Sequence, residues 1–292
     1  HEVLPRTSVE VGYHRRWFGN FFVTDNINLN PDDFRLVTVT APSSDRLPDD
    51  GGFQEQFYLP SISPGIQNTF TFASDYGDWK QYWHGVDVTV VARLRNGLTV
   101  QGGTSTGRGV LDNCDVVNLV PEMLNPALTT PGQNPTTTTT QPAGSCDRAD
   151  KVLTQLRGNA TYVVPKIDVL VSGIFRSQPN AAVGTLDNLG SNGQGLSAIY
   201  QYNDGGTTRN VNLLQPGQHY SDRVNQVDVR LGKIVRFGRT RTNVALDFLN
   251  LFNSNTTTAF NQTFGDATIS NYLQPTQILN PRFVRFSITV DY

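Results

Sequence analysis

Cys114 and Cys146 are the only cysteines of the chain. No histidine stands near them, so they make a poor zinc site. In an oxidising compartment they would close a loop as a disulfide. Closing about 33 residues would stabilise the fold by roughly 3.7 kcal/mol through the entropy removed from the unfolded chain. The bland alternative is two free thiols. The histidines, His1, His14, His84 and His219, are scattered and show no metal-ligand spacing. Hydrolytic chemistry would need a nucleophile or an activated water with a histidine and an acid beside it. His84 and Asp87 are close in sequence, but their odd separation places them on opposite faces of a strand. His219 and Asp222 sit in or beside a loop and could pair. Neither pair makes a catalytic set, so the chain is expected to be neither an enzyme nor the carrier of a cofactor.

Asp32, Asp33, Asp45, Asp49 and Asp50 make one long segment acidic. Calcium binds clusters of carboxylate oxygens, but no EF-hand-like spacing appears. A solvated acidic loop is the simpler reading, and no metal site is assigned. The same segment and its far end are rich in aromatic residues. Aromatic faces beside polar groups suit sugars and aromatic ligands. Phe57, Tyr58, Tyr76, Trp79 and Trp83 are the candidates for ligand contact. The alternative is that they pack the loop on itself or form a girdle.

The elements that must position these residues follow from composition and period. The chain has 292 residues, a net charge of −2 and 37% hydrophobic residues. A near-neutral chain lacks the basic footprint of nucleic-acid binding. No apolar run approaches the length of a helical membrane span. The mean hydropathy of −0.33 does not exclude a transmembrane β-barrel, in which only every second residue is apolar. The single methionine is Met123, and no apolar leader segment opens the chain. The sequence is therefore expected to be a mature form or a fragment.

Eight segments alternate with period two. Their apolar faces are Val9, Val11, Tyr13 and Trp17; Tyr82, Val86, Val88, Val90, Ala92 and Leu94; Leu98, Val100 and Gly102; Val152, Leu156, Ala160 and Tyr162; Ile167, Val169, Val171 and Phe175; Val227, Val229 and Leu231; Val244, Leu246 and Phe248; and Val284, Phe286, Ile288, Val290 and Tyr292. The aromatics gather towards segment ends, as in a lipid-facing band between two girdles. The opposite faces carry charges of both signs: Asp87, Arg93, Arg95, Arg157, Arg176, Asp228, Arg230, Arg241, Asp247 and Arg285. These would need partners in a lumen. Arg15 and Lys233 break the apolar phase near segment ends, where long cationic side chains can snorkel.

The connections alternate between tight and long. Asn96-Gly97, Pro165-Lys166 and Gly238-Arg239 are tight, and Asn-Gly is a strong hairpin signal. The long ones, 20–80, 106–150, 177–223 and 253–280, are rich in Gly, Pro, Asn, Ser and Thr. The low-complexity stretch 126–144 is expected to be mobile. Short turns at one rim and long loops at the other follow the outer-membrane barrel plan. The expectation is an all-β, antiparallel transmembrane barrel segment of about eight strands, with short periplasmic turns, long extracellular loops and a bacterial outer-membrane location.

The chain ends with apolar residues at alternate places, Phe286, Ile288, Val290 and Tyr292, finishing in an aromatic. This matches the assembly signal read by the barrel-assembly machinery, although an ordinary final strand also alternates. Four stretches then carry a family resemblance: 6–25 (RTSVEVGYHRRWFGNFFVTD), 84–113 (HGVDVTVVARLRNGLTVQGGTSTGRGVLDN), 228–253 (DVRLGKIVRFGRTRTNVALDFLNLFN) and 278–292 (ILNPRFVRFSITVDY). They resemble the C-terminal barrel part of TonB-dependent outer-membrane receptors, of the type with an N-terminal carboxypeptidase-regulatory-like domain. The resemblance implies uptake of a bulky nutrient, such as an oligosaccharide or a metal chelate. It also implies energy supplied by the TonB complex through a plug, for which this chain holds no candidate. Family barrels have 22 strands, so residues 1–292 are expected to be the C-terminal portion of a longer barrel in outer-membrane lipid. The alternatives are a complete eight-stranded structural or adhesive barrel and a soluble β-sandwich binding module.

Overall fold

A computed structural model describes residues 2–94, 97–134, 138–180, 195–265 and 271–291. The expectations placed on His1, Arg95, Asn96, Thr136, Thr137 and Tyr292 lie outside the described residues. Eight long strands follow one another in the chain: β1 (Thr7–Phe18), β2 (Lys80–Arg93), β3 (Thr99–Asp112), β4 (Leu153–Val164), β5 (Val169–Asn180), β6 (Ser221–Phe237), β7 (Thr240–Leu249) and β8 (Phe283–Asp291). Each is hydrogen-bonded antiparallel to its sequence neighbour, in the order β1 to β8. A short strand, Glu2–Leu4, pairs with β1 across a turn in which Arg6 has φ 65°. The protein is thus all-β, and its main sheet is antiparallel throughout. Among the described residues β8 pairs only with β7, and the sheet does not close on β1.

The faces follow from the period-two pattern because residues opposite one another in an antiparallel pair share a face. One row crosses the whole sheet: Thr7, Ala92, Val100, Ala160, Gly173, Val229, Phe248 and Val284. The next row towards the turns from β4 onward is Tyr162, Val171, Leu231, Leu246 and Phe286. Among the described residues no element covers this face: Val11 is 67% exposed and Phe286 61%. The row behind it is polar: Arg93, Thr99, Thr161, Ser172, Arg230, Asp247 and Arg285. There Asp247 accepts from Arg230 Nη2 at 3.0 Å and from Arg285 Nε at 3.0 Å.

The tight turns lie at one end. Gly97, Lys166, Asp168 and Gly238 all adopt positive φ there. β3 runs further than the sequence predicts, to Asp112 instead of about Gly103. Its glycines, which read as strand breakers, stay within the ladder. Lys233 reaches the turn end and donates to the carbonyl of Ile167. The guanidinium carbon of Arg15 lies 5.0 Å from the Trp17 ring centroid and 4.4 Å from that of Tyr82.

The long connections differ most from expectation. They carry short paired strands, Phe22–Asn26 with Asn68–Phe72 and Phe34–Thr40 with Gln54–Pro60, and one helix, α1 (Cys114–Leu119). They also hold most of the enclosed apolar side chains. Val39, Phe57 and Leu59 of the first connection pack with Val211 and Leu213 of the third and Phe264 and Tyr272 of the fourth. Cys114 and Cys146 form a disulfide in the second, with Cα atoms 4.9 Å apart. The two ends of 126–144 are packed: Ala127, Thr140 and Gln141 are buried, and Thr140 exchanges backbone hydrogen bonds with Asn210 and Asn212, whereas 130–134 are exposed. Threonine-rich composition hid this because the partners come from another connection.

A corner after β7 locks sheet to connection. Asn250 is buried at φ 51°. Its backbone N–H donates to Asp228, its amide donates to the carbonyls of Ser254 and Asn280, and its oxygen accepts from the Ser254 N–H. Asn253, also at positive φ, accepts from the Arg282 N–H at 2.8 Å. Asparagine tolerates the left-handed region and supplies both donors and acceptor. We expect Asn250→Ala to lower stability in urea unfolding by about 3 kcal/mol, from backbone strain plus lost buried hydrogen bonds. Asn250→Gly, which keeps the backbone freedom, should cost about half as much.

Candidate functional site

A cavity of about 300 Å³ lies where the polar face of the sheet meets the connections. β2 contributes Gln81 and Trp83, β3 contributes Ser105, Gly107 and Gly109, and β4 contributes Gln155. Arg148, Asp150, Lys151 and Tyr220 close it from the connections. These strands are adjacent in the sheet, so the period-two rule alone aligns their inward residues. Trp83 lies flat across the strands because Gly85 and Gly107 leave room for it. A Cβ on either glycine would stand 2.4 Å from its ring. Gly109 faces Asp150 in the same way, and a Cβ there would stand 2.5 Å from the carboxylate.

The polar groups around the ring are held from below. The Asp150 N–H donates to the Gly109 carbonyl at 2.9 Å. Its carboxylate lies 3.7 Å from Nε of the buried Arg148. Burial and the neighbouring Asp150 charge push the Tyr220 phenol up to about 12. It therefore stays a neutral hydroxyl whose oxygen has no hydrogen-bond partner among the described residues. An indole face beside carboxylate, guanidinium, amide and phenol groups suits a small polyhydroxylated ligand.

The five aromatic candidates fall in three places. Phe57 is wholly enclosed in the core of the connections, and a ring with no accessible surface cannot touch a ligand. Tyr58, Tyr76 and Trp79 bind the connections to one another. The Tyr58 hydroxyl donates to Asn118 at 3.3 Å, and Trp79 stacks on Phe21 with centroids 4.5 Å apart. Tyr76 donates to Asp25 at 2.6 Å, and burial and that carboxylate push its phenol up. Trp83 lines the cavity. The glycines beneath it were missed, although Gly85 and Gly107, which share the polar face with Trp83 and pair across β2 and β3, are a readable signal for a large side chain lying across.

The titratable candidates sort by face. His84 accepts from Arg108 Nε at 3.3 Å on the apolar side, whereas Asp87 faces His14 at 3.5 Å on the polar side. No serine, threonine or cysteine hydrogen-bonds His14 among the described residues. His219 is half-buried; burial first, then the Lys151 charge, pushes its imidazole down. No ion pair joins it to Asp222 among the described residues. Of the acidic segment, Asp33 caps the Asn30 N–H at 2.8 Å. No group of three or more metal-ligating side chains occurs among the described residues. No protein-family model matches the chain, and no curated protein matches it either.

One carboxyl buried among the connections is pushed up from the ordinary carboxylate range. Glu122 is 2% exposed and accepts from the Asn26 N–H at 3.1 Å, tying the second connection to the first. Burial pushes it up to about 7, and that hydrogen bond lowers it only in part. A carboxyl raised in the folded state stabilises fully below its unfolded value of 4.5 and loses that contribution as pH rises through about 7. Thermal unfolding should therefore show stability falling between these two values, and Glu122→Gln should flatten that slope. Separately, Gly107→Ala should displace Trp83 and change the tryptophan emission. Gly158→Ala, whose Cβ would meet no atom nearer than 3.8 Å, should leave the emission unchanged.

Proposed function

We propose that the eight strands are a section of the wall of an outer-membrane β-barrel, in a transporter of the TonB-dependent receptor kind. The observation that carries this is the pair of unlike faces. One face of the sheet is apolar, continuous across all eight strands and uncovered; the other is polar with charges of both signs. In water an apolar patch of that extent is a liability, whereas hydrocarbon is its natural solvent. Charges such as Asp247 then sit inside, where Arg230 and Arg285 satisfy them. Strands of about ten residues are long enough to cross the apolar band when tilted.

Two further features support the reading. Among the described residues, the tight turns that join the eight strands are at one end and the packed connections are at the other, which matches the division between periplasmic turns and extracellular loops. The open edges at Glu2–Leu4 and β8 would be untenable in lipid unless paired, so closure through further strands fits better than a complete eight-stranded barrel. By the resemblance of 228–253 and 278–292, the cargo is a bulky nutrient, an oligosaccharide or a metal chelate. The loop-side cavity with Trp83 offers it a stacking surface. The driving force comes from the TonB complex acting on a plug inside the wall.

Membrane extraction tests the foundation of this reading. The chain should stay with the membrane pellet through alkaline carbonate washing and enter solution only with detergent. Recovery in the aqueous fraction would refute it and favour a soluble β-sheet protein.

A further inference from the structure

The apolar face carries an anomaly on its loop side. Arg15, His84 and Arg108 stand side by side on β1, β2 and β3, as register partners on the mainly apolar face. Both arginines are exposed, and among the described residues neither has a carboxylate within ion-pair distance. The next outward acid on β3 is Asp112, four residues from Arg108 and opposite Lys80. The row is held in place. Arg15 lies against Trp17 and Tyr82, and Arg108 is bonded to His84. Cations held in place at the loop end of an apolar face present a site for an anion from outside the chain.

The same strands offer an apolar groove further towards the turns. Gly102 on β3 faces Gly158 on β4, and Ala160 faces Gly173 on β5. The missing side chains leave a hollow of about 590 Å³, walled by Val90, Leu156, Phe175 and Val227. β3 carries both features, with Arg108 above and Gly102 below along one row of outward positions. We propose that this surface docks an anionic, phosphate-bearing lipid. The phosphate meets Arg15 and Arg108, His84 is the third member of the row, and an acyl chain lies in the glycine groove. Charge complementarity selects the headgroup, and burial of the chain in the groove adds an apolar contribution that a free anion lacks.

The inference rests on the membrane reading, and one experiment separates the two. The full chain is reconstituted in phosphatidylcholine bilayers containing a minor fraction of phosphatidic acid, and one lipid or the other carries a bromine quencher on its acyl chains. Trp17, beside Arg15, reports contact. Brominated phosphatidic acid should quench beyond its share of the lipid, and this preference should fall about thirty-fold in Arg15→Gln/Arg108→Gln. Gly158→Val/Gly173→Val should also reduce it, since neither added Cβ would meet an atom nearer than 3.8 Å and the branches fill the groove. Equal quenching by brominated phosphatidylcholine in all variants shows that each is inserted and folded. No quenching by either lipid would overturn the membrane reading itself. Quenching in proportion to lipid composition would overturn the docking site and leave insertion standing. Loss of the preference on adding inorganic phosphate would reduce the site to one for small anions and overturn lipid docking.

Discussion

In an antiparallel sheet a slip of one residue in any pair turns over every side chain beyond it. Here seven consecutive pairings keep the same parity, so that Thr7 and Val284, on the first and last of the eight strands, belong to one face. Everything else depends on that register. It sends Trp83, Gly107 and Gln155 to the side where a cavity forms, and Val86, Leu231 and Phe286 to the side left bare. It also converts sequence neighbours such as His84 and Asp87 into residues that never meet. The tight turns hold the register because each contains residues that accept positive φ.

Among the described residues the long strands hold few of the enclosed apolar side chains. Its polar side is knitted by ion pairs such as Asp247 with Arg230 and Arg285, and its other side is uncovered. The compact apolar packing instead occurs among the connections, around Phe57, Val211 and Tyr272, and around Leu124 beside the disulfide. The two parts meet at a few points. Asn250 ties β6 and β7 to the last connection, and Asp150 ties the second connection to β3. Under the proposed function this division has a purpose. The wall takes its apolar contacts from lipid, and the layer facing the medium must carry its own.

Two surfaces of chemical interest arise from strands β2 to β4, one on each face. On the polar side, glycines make space for Trp83. On the apolar side, glycines leave a hollow beneath Arg15, His84 and Arg108. In both cases an absent side chain makes the space, and its meaning comes from what stands opposite on the neighbouring strand.

The eight strands and the sidedness of each were legible in the sequence because alternation is a local property, expressed within each segment whatever its neighbours do. The positions of Arg15 and Lys233 as exceptions were legible for the same reason, and so were two of the described tight turns, at Lys166 and Gly238. The cysteine pair was readable as a possibility, since both residues lie in one connection. What the tertiary structure alone decided is long-range. That Phe57 is a core residue depends on Val211 and Tyr272 arriving from distant connections. That β3 continues to Asp112 depends on Trp83 occupying the space its glycines vacate. The packing of Thr140 depends on the backbone of Asn210. Such contacts join residues scores of positions apart, and no spacing within a single segment records them. The period of a strand is written in the strand, whereas the partner of a loop residue is set by how the strands are ordered beneath it.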